Sequence, residues 1–304
     1  MNADLLSIRP EVEEALAARR AVVALESTII AHGLPRPQNL EVARDIEAIV
    51  RSENAVPATI ALIDGRVRIG LSDTELERLA TAEHVAKVSR RDLGIVLAGR
   101  GIGATTVAGT MIAAKLAGIS VFATGGIGGV HRGAETSFDV SADLDELAQT
   151  SVLVVTAGAK AVLDLPKTLE VLETRGVPLV GFGTDTFPAF WCRSSGLPLP
   201  MRIDTPEAVA RAFLLHRKLE LPSGFVVANP IPEGDALDRS AVEQAIGEAL
   251  GHAAREGIAG RDVTPFLLKR IVAATGGASL RANIALVRNN ARLAARISTA
   301  LARL

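Results

Sequence analysis

Aromatic residues are scarce in this chain of 304 residues, which has eight Phe, one Trp and no Tyr. Stacking platforms for nucleic-acid bases depend on aromatic side chains, and the arginines form no basic run. We therefore expect a small-molecule substrate and no nucleic-acid partner. The single cysteine, Cys192, excludes an internal disulfide and fits a reducing compartment.

Long uncharged runs are also missing. None reaches the roughly 18 residues that a membrane span needs, and the start of the sequence has no secretory signal. We expect no membrane partner and a cytoplasmic location. Hydrophobic residues make up 48% of the sequence, which is typical of a compact α/β enzyme. Because no linker, repeat or low-complexity stretch interrupts the chain, residues 1–304 are predicted to form one domain.

Apolar runs alternate with amphipathic segments along the chain. The Asp64-Gly65 pair predicts a tight hairpin turn, and Asn39 is expected to cap the helix that follows it. The alternation predicts an α/β fold, a single-domain α/β/α sandwich with a largely parallel (mixed) central sheet and helices on both faces. Strands are predicted at 21–30, 58–63, 66–71, 87–89, 119–124, 151–157, 177–183 and 224–230, and the main helices at 10–20, 40–52, 105–118, 141–150, 166–176, 205–219, 240–256 and 279–301.

Three predicted strands end in residues that can do chemistry. Glu26 follows the first apolar run, Thr124 ends another, and Lys160 follows a third through small residues. Ligands of open α/β sheets bind beyond the carboxyl ends of the strands, so these groups are expected to share one pocket. An ammonium is costly to bury, and a lysine in such a place is usually a nucleophile or an anion binder.

Glu26 interrupts the run VVALESTII, in which the predicted strand has apolar residues on both faces. A solvent-facing strand position would be the ordinary explanation, but a strand buried on both faces leaves a carboxylate no water. Desolvation is expected to raise the pKa of Glu26 toward neutrality and to suit it to general acid catalysis. Lys87 is by default a surface charge, and in a site it would be a partner for phosphate.

The stretch after Thr124 is rich in glycine and contains His131 and Arg132. Glycines let a backbone approach a ligand closely and offer donors to an anion. A flexible surface loop explains the stretch equally well, because glycine-rich loops after strands are common. His131 alone is more often a structural hydrogen-bonder than a catalyst.

Asp139 and Asp143 lie on either side of Ser141. The ordinary interpretation is a helix start, with Ser141 as N-cap and Asp143 in the first turn. The alternative is a hard-cation site, since one carboxylate with waters and a substrate phosphate often holds Mg²⁺ or Mn²⁺. Without H-x-x-x-H or C-x-x-C spacing, a structural zinc site is not expected.

Residues 99–104, GRGIGA, match a dinucleotide-binding fingerprint letter for letter. Ser89 and Asp92 have the spacing of a capping box, which predicts a helix over 90–98 that ends at Gly99 instead of a strand entering a phosphate turn. The acidic residue that the fingerprint needs about 20 positions further on is also missing. A nicotinamide cofactor is therefore not expected.

A series of long motifs runs through the chain in a specific order: ALESTIIAHGLPRPQN, PATIALIDG, KVSRRDL, GATTVAGTM, VFATGGIGGVHRGAE, FDVSADL, TAGAKAVLDL, VVANPIPE, TPFLL and SLRANIALVRNNA. From about residue 8 to residue 300 the sequence closely resembles the pseudouridine-5′-phosphate glycosidase family, also called the indigoidine synthase A-like family. The resemblance implies reversible cleavage of the C-glycosidic bond of pseudouridine 5′-phosphate to uracil and ribose 5-phosphate. It also implies one Mn²⁺ (or Mg²⁺) per subunit, no organic cofactor and a homotrimer.

The same resemblance implies roles for individual residues. By motif, Lys160 resembles the nucleophile, Glu26 the proton donor and Asp139 the metal ligand. Asp143 is a third candidate catalytic residue, able to move protons of the uracil ring or of water. The expected substrate-binding residues are Lys87, Val107, Thr124, His131, Ser141, Ala142, Asp143 and Asn283.

The chemistry explains why such an enzyme needs a lysine. An ordinary glycosidase protonates an oxygen leaving group, whereas here the leaving atom is a carbon. An amine that adds at the anomeric carbon can form an iminium as uracil departs.

Two alternative functions remain. A Schiff-base lyase of the class I aldolase type would use Lys160 without needing uracil, and a non-enzymatic nucleotide-phosphate sensor would not need Lys160, although Glu26 counts against it.

Overall fold

Short strands and helices alternate along the chain. The computed structural model describes residues 5–258 and 263–304, and within them no helix combines the length and apolarity needed to cross a membrane. The strands are β1 (Leu6–Ile8), β2 (Val22–Leu25), β3 (Val56–Ile63), β4 (Arg66–Ile69), β5 (Ala86–Val88), β6 (Ile102–Thr105), β7 (Val121–Ala123), β8 (Val130–His131), β9 (Leu153–Thr156), β10 (Leu163–Asp164), β11 (Leu179–Phe182), β12 (Arg202–Ile203) and β13 (Phe225–Ala228).

Several helices begin at a residue whose side chain caps them. Ser72 and Glu75 form the reciprocal capping box expected from their spacing, and Ser141 caps the helix that follows it. The helices are α1 (Pro10–Ala17), α2 (Gln38–Ser52), α3 (Asp73–Thr81), α4 (Leu93–Ala98), α5 (Val107–Ala117), α6 (Ala134–Ser137), α7 (Ala142–Gln149), α8 (Leu165–Thr174), α9 (Pro206–Lys218), α10 (Arg239–Arg255), α11 (Val263–Ala274) and α12 (Ala278–Leu301).

The central sheet is mostly parallel. Its parallel part has the order β3-β2-β7-β9-β13-β11-β12, with Leu25 opposite both Thr59 and Ala123. Every residue of β2, β7, β9 and β13 is buried, as is usual for parallel strands covered on both faces. α12 packs on β2, β7 and β9 together with α2 and α9, while α5 packs on β2, β3 and β7 and contacts α7. The predicted α/β fold is confirmed.

The sheet becomes mixed at β3. The first half of this strand pairs in parallel with β2, and the second half pairs antiparallel with β4 and β6. The turn between β3 and β4 is the predicted hairpin, in which Asp64 and Gly65 have φ angles of 54° and 79°. Two successive positive φ angles fit the primed turn that matches the twist of the strands.

Two local predictions are wrong. The strand expected over 21–30 ends at Leu25, and Ile29–Gly33 form a π-helical turn, so Glu26 lies at the end of the strand and not within it. Asn39 does not cap α2, because this helix has already begun at Gln38. Asn39 is buried, and its Nδ2 donates to the carbonyls of Ile30 (2.9 Å) and Ala80 (3.0 Å). The amide satisfies two buried carbonyls that only the folded chain brings to it.

The helix predicted over 90–98 is present. A 3₁₀ turn at Arg90–Asp92 continues into α4, and the backbone N–H of Ser89 donates to Asp92 Oδ2 (3.0 Å) as in a capping box. The GRGIGA segment therefore follows a helix and leads into β6. This is the reverse of the strand-to-helix context in which the fingerprint binds a dinucleotide.

Candidate active site

The carboxyl ends of β2, β7 and β9 lie side by side because the three strands pair in parallel. Glu26 comes directly after β2 and Thr124 directly after β7, and the Thr124 hydroxyl donates a hydrogen bond to Glu26 Oε1. Lys160 lies just beyond β9, close enough for its charge to act on Glu26. The structure thus brings together the three strand ends singled out in the sequence.

Burial raises the pKa of the Glu26 carboxyl, as predicted. The positive charge of Lys160 and the hydroxyl of Thr124 act against this rise, because both favour the carboxylate. The nearby negative charge of Asp143 adds to the rise. The side chain of Glu26 keeps a partly exposed surface, so a ligand can reach a carboxyl that the protein has largely dehydrated.

Most of the glycine-rich stretch is part of the core and does not form a surface loop. Every residue from Gly125 to Val130 is buried. Its backbone runs beside the segment that leads to Lys160: Ile127 N–H donates to Gly158 O (3.1 Å), and Lys160 N–H donates to Ile127 O (3.1 Å). The flexible-loop interpretation is therefore wrong, and the stretch holds the backbone of Lys160 in place.

Asp143 joins two backbone segments. Its Oδ2 accepts from Gly128 N–H (2.8 Å), and its Oδ1 accepts from Ala108 N–H in the first turn of α5 (3.0 Å). The residue is only 5% exposed. Ser141 caps α7 by accepting from Asp143 N–H (3.2 Å). A carboxylate with both oxygens held by backbone donors fixes these two backbone segments relative to each other.

Gly128 has no room for a side chain. A Cβ at this position would lie 2.1 Å from Ser141 Oγ and 2.6 Å from Asp143 Oδ2. Glycine is therefore required by the close approach of α7, and the same contact allows Asp143 to reach the Gly128 N–H.

His131 and Asp139 lie beside the cluster formed by Glu26, Thr124, Lys160 and Asp143. His131 Nδ1 is 3.8 Å from Asp139 Oδ2, and the Asp139 side chain is 33% exposed. Burial lowers the pKa of His131, the charges of Lys160 and Lys87 lower it further, and Asp139 opposes them. Lys87, on β5, also acts on Glu26. Both lysines therefore lie within electrostatic reach of the carboxyl and of the imidazole.

The remaining predicted residues flank this cluster. Val107 is the buried first residue of α5, and Ala142 is the exposed first residue of α7. Asn283, on α12, is partly buried, and its Oδ1 would be 3.6 Å from a Cβ placed on Gly125. Thus α12 and the start of α7 contact the glycine-rich stretch directly, and α5 is joined to it through Asp143.

The Asp139 carboxylate supplies oxygen donors of the kind that hard cations prefer. Among the residues that the structure describes, no group of three or more His, Cys, Asp and Glu could hold a metal. Mg²⁺ and Mn²⁺ need fewer protein ligands, because they keep several waters and bind through one or two carboxylates together with a substrate phosphate. The single, partly exposed carboxylate of Asp139 fits such an ion.

Sequence reasoning missed a buried polar network around the site. Ser27 Oγ and Thr105 Oγ1 both donate to Ile60 O, at 2.6 and 2.8 Å, and Thr105 N–H donates to Ser27 Oγ (2.9 Å). These bonds tie the segment after β2 to β3 and β6. Asn229 and Asn290 were also missed. The signal that could have identified these residues is in the sequence: each is a polar residue near apolar ones, within one of the long motifs that carry the family resemblance.

Known proteins match the chain over nearly its whole length. The family model described as "Indigoidine synthase A like protein" matches residues 11–300. A pseudouridine-5′-phosphate glycosidase of Solibacter usitatus is 60% identical over 296 residues, 97% of this chain and 99% of the relative. One from Paracoccus denitrificans is 61% identical over 300 residues, 98% of this chain and 99% of the relative.

Solved structures show the same fold. The prealnumycin C-glycosynthase AlnA, in complex with ribulose 5-phosphate, has a TM-score of 0.92 and 44% identity, covering 98% of this chain and 97% of that one. An indigoidine synthase A-like protein from Thermotoga maritima has a TM-score of 0.90 and 36% identity, with the same coverage of 98% and 97%.

Proposed function

The chain belongs to the indigoidine synthase A-like family and has pseudouridine-5′-phosphate glycosidase activity, and we propose that it acts reversibly through a covalent intermediate on Lys160. The observation that carries this proposal is that the ends of β2 and β9, on either side of β7, bring Lys160 within electrostatic reach of Glu26, a carboxyl whose pKa is raised by burial. A nucleophilic amine and a carboxylic acid that keeps its proton are the two groups that the reaction needs.

The first step opens the sugar ring. Protonated Glu26 gives its proton to the ring oxygen of the ribose, and the bond between that oxygen and the anomeric carbon breaks with its electron pair passing to oxygen. The neutral amine of Lys160 forms a new bond to the anomeric carbon. The extra proton on the lysine nitrogen then returns to the Glu26 carboxylate, which restores the acid.

The second step releases uracil. The lone pair of the lysine nitrogen forms a double bond to the sugar carbon, and the carbon–carbon bond to uracil breaks with its electrons left on uracil carbon five. That carbon takes the proton held by Glu26. Water then adds to the iminium, gives a proton back to Glu26 and displaces the amine, which leaves ribose 5-phosphate and free Lys160. Glu26 therefore serves each proton transfer in turn.

Asp143 takes a positioning role in this scheme. Its two oxygens accept from Gly128 and Ala108 N–H groups, which sets the glycine-rich stretch against α5. The substrate-binding roles of Lys87, His131 and Asn283 remain part of the proposal. We assign the phosphate of the substrate to the side of the cluster on which Lys87 lies, because its ammonium supplies positive charge.

Gly128→Ala is expected to lower kcat/KM at least about 100-fold and to destabilise the fold by about 1–3 kcal/mol. The new methyl group would overlap Ser141 Oγ and Asp143 Oδ2, so α7 must move away. Uracil release and urea denaturation measure the two effects. Gly247→Ala is the control, because no atom lies within 4 Å of its added Cβ. Similar kinetics for both variants would contradict the positioning role of the glycine contact.

Asp139, next to His131, is the residue that we propose holds the metal, through one carboxylate oxygen or through water. A bound Mn²⁺ or Mg²⁺ would offset the charge of the substrate phosphate. Because the side chain of Asp139 is partly exposed, we expect the fold to depend little on it.

Asp139→Asn is expected to fold normally and to need roughly 10- to 100-fold more Mn²⁺ for half-maximal activity, because a charged ligand is lost. Titration of the EDTA-treated enzyme with Mn²⁺ measures this change. Asp185→Asn, at another exposed carboxylate, should keep the wild-type titration. An unchanged metal requirement for Asp139→Asn would remove this residue from the site.

We also propose that the chain forms one domain and assembles as a homotrimer. Light scattering on the purified protein tests this by comparing the measured mass with the 31.7 kDa mass of one chain.

The reaction itself is tested by incubating pseudouridine 5′-phosphate with the protein and measuring uracil and ribose 5-phosphate in equal amounts. Formation of the C-nucleotide from these two products would show the reverse direction.

A further inference from the structure

Two buried asparagines form a pair next to the catalytic cluster. Asn290, on α12, is 0% exposed, and Asn229, directly after β13, is 6% exposed. Asn229 Nδ2 donates to Asn290 Oδ1 (3.0 Å), while Asn290 Nδ2 donates to Thr124 O (2.8 Å) and Gly125 O (3.3 Å). The buried Asn290 amide thus uses both its donor and its acceptor group within the protein.

The two carbonyls that Asn290 binds belong to the segment that contains Thr124, the residue whose hydroxyl donates to Glu26. Thr124 donates its hydroxyl to Glu26, and Gly125 O also accepts from Ala157 N–H (2.9 Å) in the segment leading to Lys160. Asn229 N–H donates to Thr156 O (2.8 Å), at the end of β9. The pair therefore ties the ends of β7, β9 and β13 together at the level of the site.

The position of α12 makes this contact specific. Asn283 and Asn290 are about two helical turns apart, so they lie on the same face of the helix. That face touches the glycine-rich stretch, since a Cβ on Gly125 would be 3.0 Å from Val287 Cγ2. Asn289 Nδ2 donates to Pro230 O (3.1 Å) and holds α12 to the segment after Asn229.

We infer that Asn290, held by Asn229, is a positioning residue that orients Thr124 toward Glu26 during the reaction. The inference rests on the proposed function, because it takes Glu26 as the acid. Asn290 acts only through the backbone of Thr124 and Gly125. Without it, the two carbonyls lose a donor, and the backbone at Thr124 is held only by the remaining bonds, such as Thr124 N–H to Val155 O (3.0 Å). The hydroxyl bond to the Glu26 carboxylate then weakens, and the pKa of Glu26 moves further up because the ionised form has lost a donor.

Asn290→Ala tests this inference. The alkaline limb of its kcat/KM profile is expected to move to higher pH, and kcat is expected to fall roughly 10- to 100-fold with little change in KM. Ser298→Ala is the matched control. Ser298 lies on the same helix, is 5% exposed and donates to Val22 O (2.9 Å), at the other end of β2. Its loss removes a comparable buried bond and should leave both kcat and the limb unchanged.

A double-mutant cycle with Thr124→Val shows whether Asn290 acts through the hydroxyl. Thr124→Val alone should move the alkaline limb to higher pH, and adding Asn290→Ala should move it no further. Additive shifts, or an Asn290→Ala enzyme that behaves like Ser298→Ala, would overturn the inference.

Asn229→Ala supplies a second variant if Asn290→Ala does not fold. It leaves the donors of Asn290 in place but releases its oxygen, so a smaller shift in the same direction is expected, and an unchanged limb would overturn the inference. An alkaline limb that persists in Glu26→Gln is a different result. It would overturn the acid role of Glu26 itself. Because the asparagine pair is intact in Glu26→Gln, this result is distinct from a failure of the Asn290 inference.

Discussion

Lys160→Ala is expected to abolish turnover of pseudouridine 5′-phosphate, lowering kcat on the order of 10⁴-fold or more. The variant lacks the nitrogen that replaces uracil at the sugar carbon, so no lone pair is available to form the iminium and drive the electrons of the carbon–carbon bond onto uracil. Since Lys160 is partly exposed and its backbone N–H bonds to Ile127 O, removal of the side chain should leave the local fold intact.

Intact-protein mass after incubation with ribose 5-phosphate and borohydride shows whether the bond to the sugar forms. The wild type should gain the mass of one reduced sugar phosphate, and Lys160→Ala should not. Lys218→Ala, at an exposed position on α9, serves as the control and should be trapped like the wild type. An adduct in Lys160→Ala would place the nucleophile elsewhere. An adduct without uracil release would favour the Schiff-base lyase, and no adduct in the wild type would make Lys160 an anion binder.

Glu26→Gln is expected to lower kcat/KM by about 10²- to 10⁴-fold and to remove the alkaline limb of its pH profile. Glu26 acts in its protonated form, and burial raises its pKa. Activity is therefore present below that raised pKa and is lost as the pH rises through it. An amide does not titrate, so the residual activity of the variant should not decline over the same range.

Glu47→Gln is the matched control for this experiment. Glu47 lies on α2, burial also raises its pKa, and it accepts a hydrogen bond from the Thr59 hydroxyl (2.5 Å). Its substitution should leave the pH profile of uracil release as in the wild type. A wild-type alkaline limb in Glu26→Gln would assign the acid to another group.

Much of this architecture follows from local sequence patterns. The Asp64-Gly65 hairpin, the Ser72 capping box and the helix that ends before GRGIGA depend on a few neighbouring residues, whose backbone preferences need no distant partner. The placement of Glu26, Thr124 and Lys160 at one edge of the sheet also followed, because parallel strands bring their carboxyl ends together.

Other features depend on partners far away in the chain. Asn39 was expected to be a cap, and the glycine-rich stretch could have been a surface loop, but packing buries both. Asp143 looks like an ordinary first-turn acid in the sequence. Its role follows from Gly128 and Ala108, whose N–H groups reach its carboxylate only when α5 and α7 pack together.

The amino-acid sequence alone was sufficient for the family, the α/β class and the candidate acid and nucleophile, since these rest on motifs and on periodicity along the chain. The tertiary structure decided which backbone groups each buried polar side chain satisfies. Asn290 shows the reason: an amide in an apolar helix must find partners, but only the packing of α12 on the sheet determines that they are the carbonyls of Thr124 and Gly125.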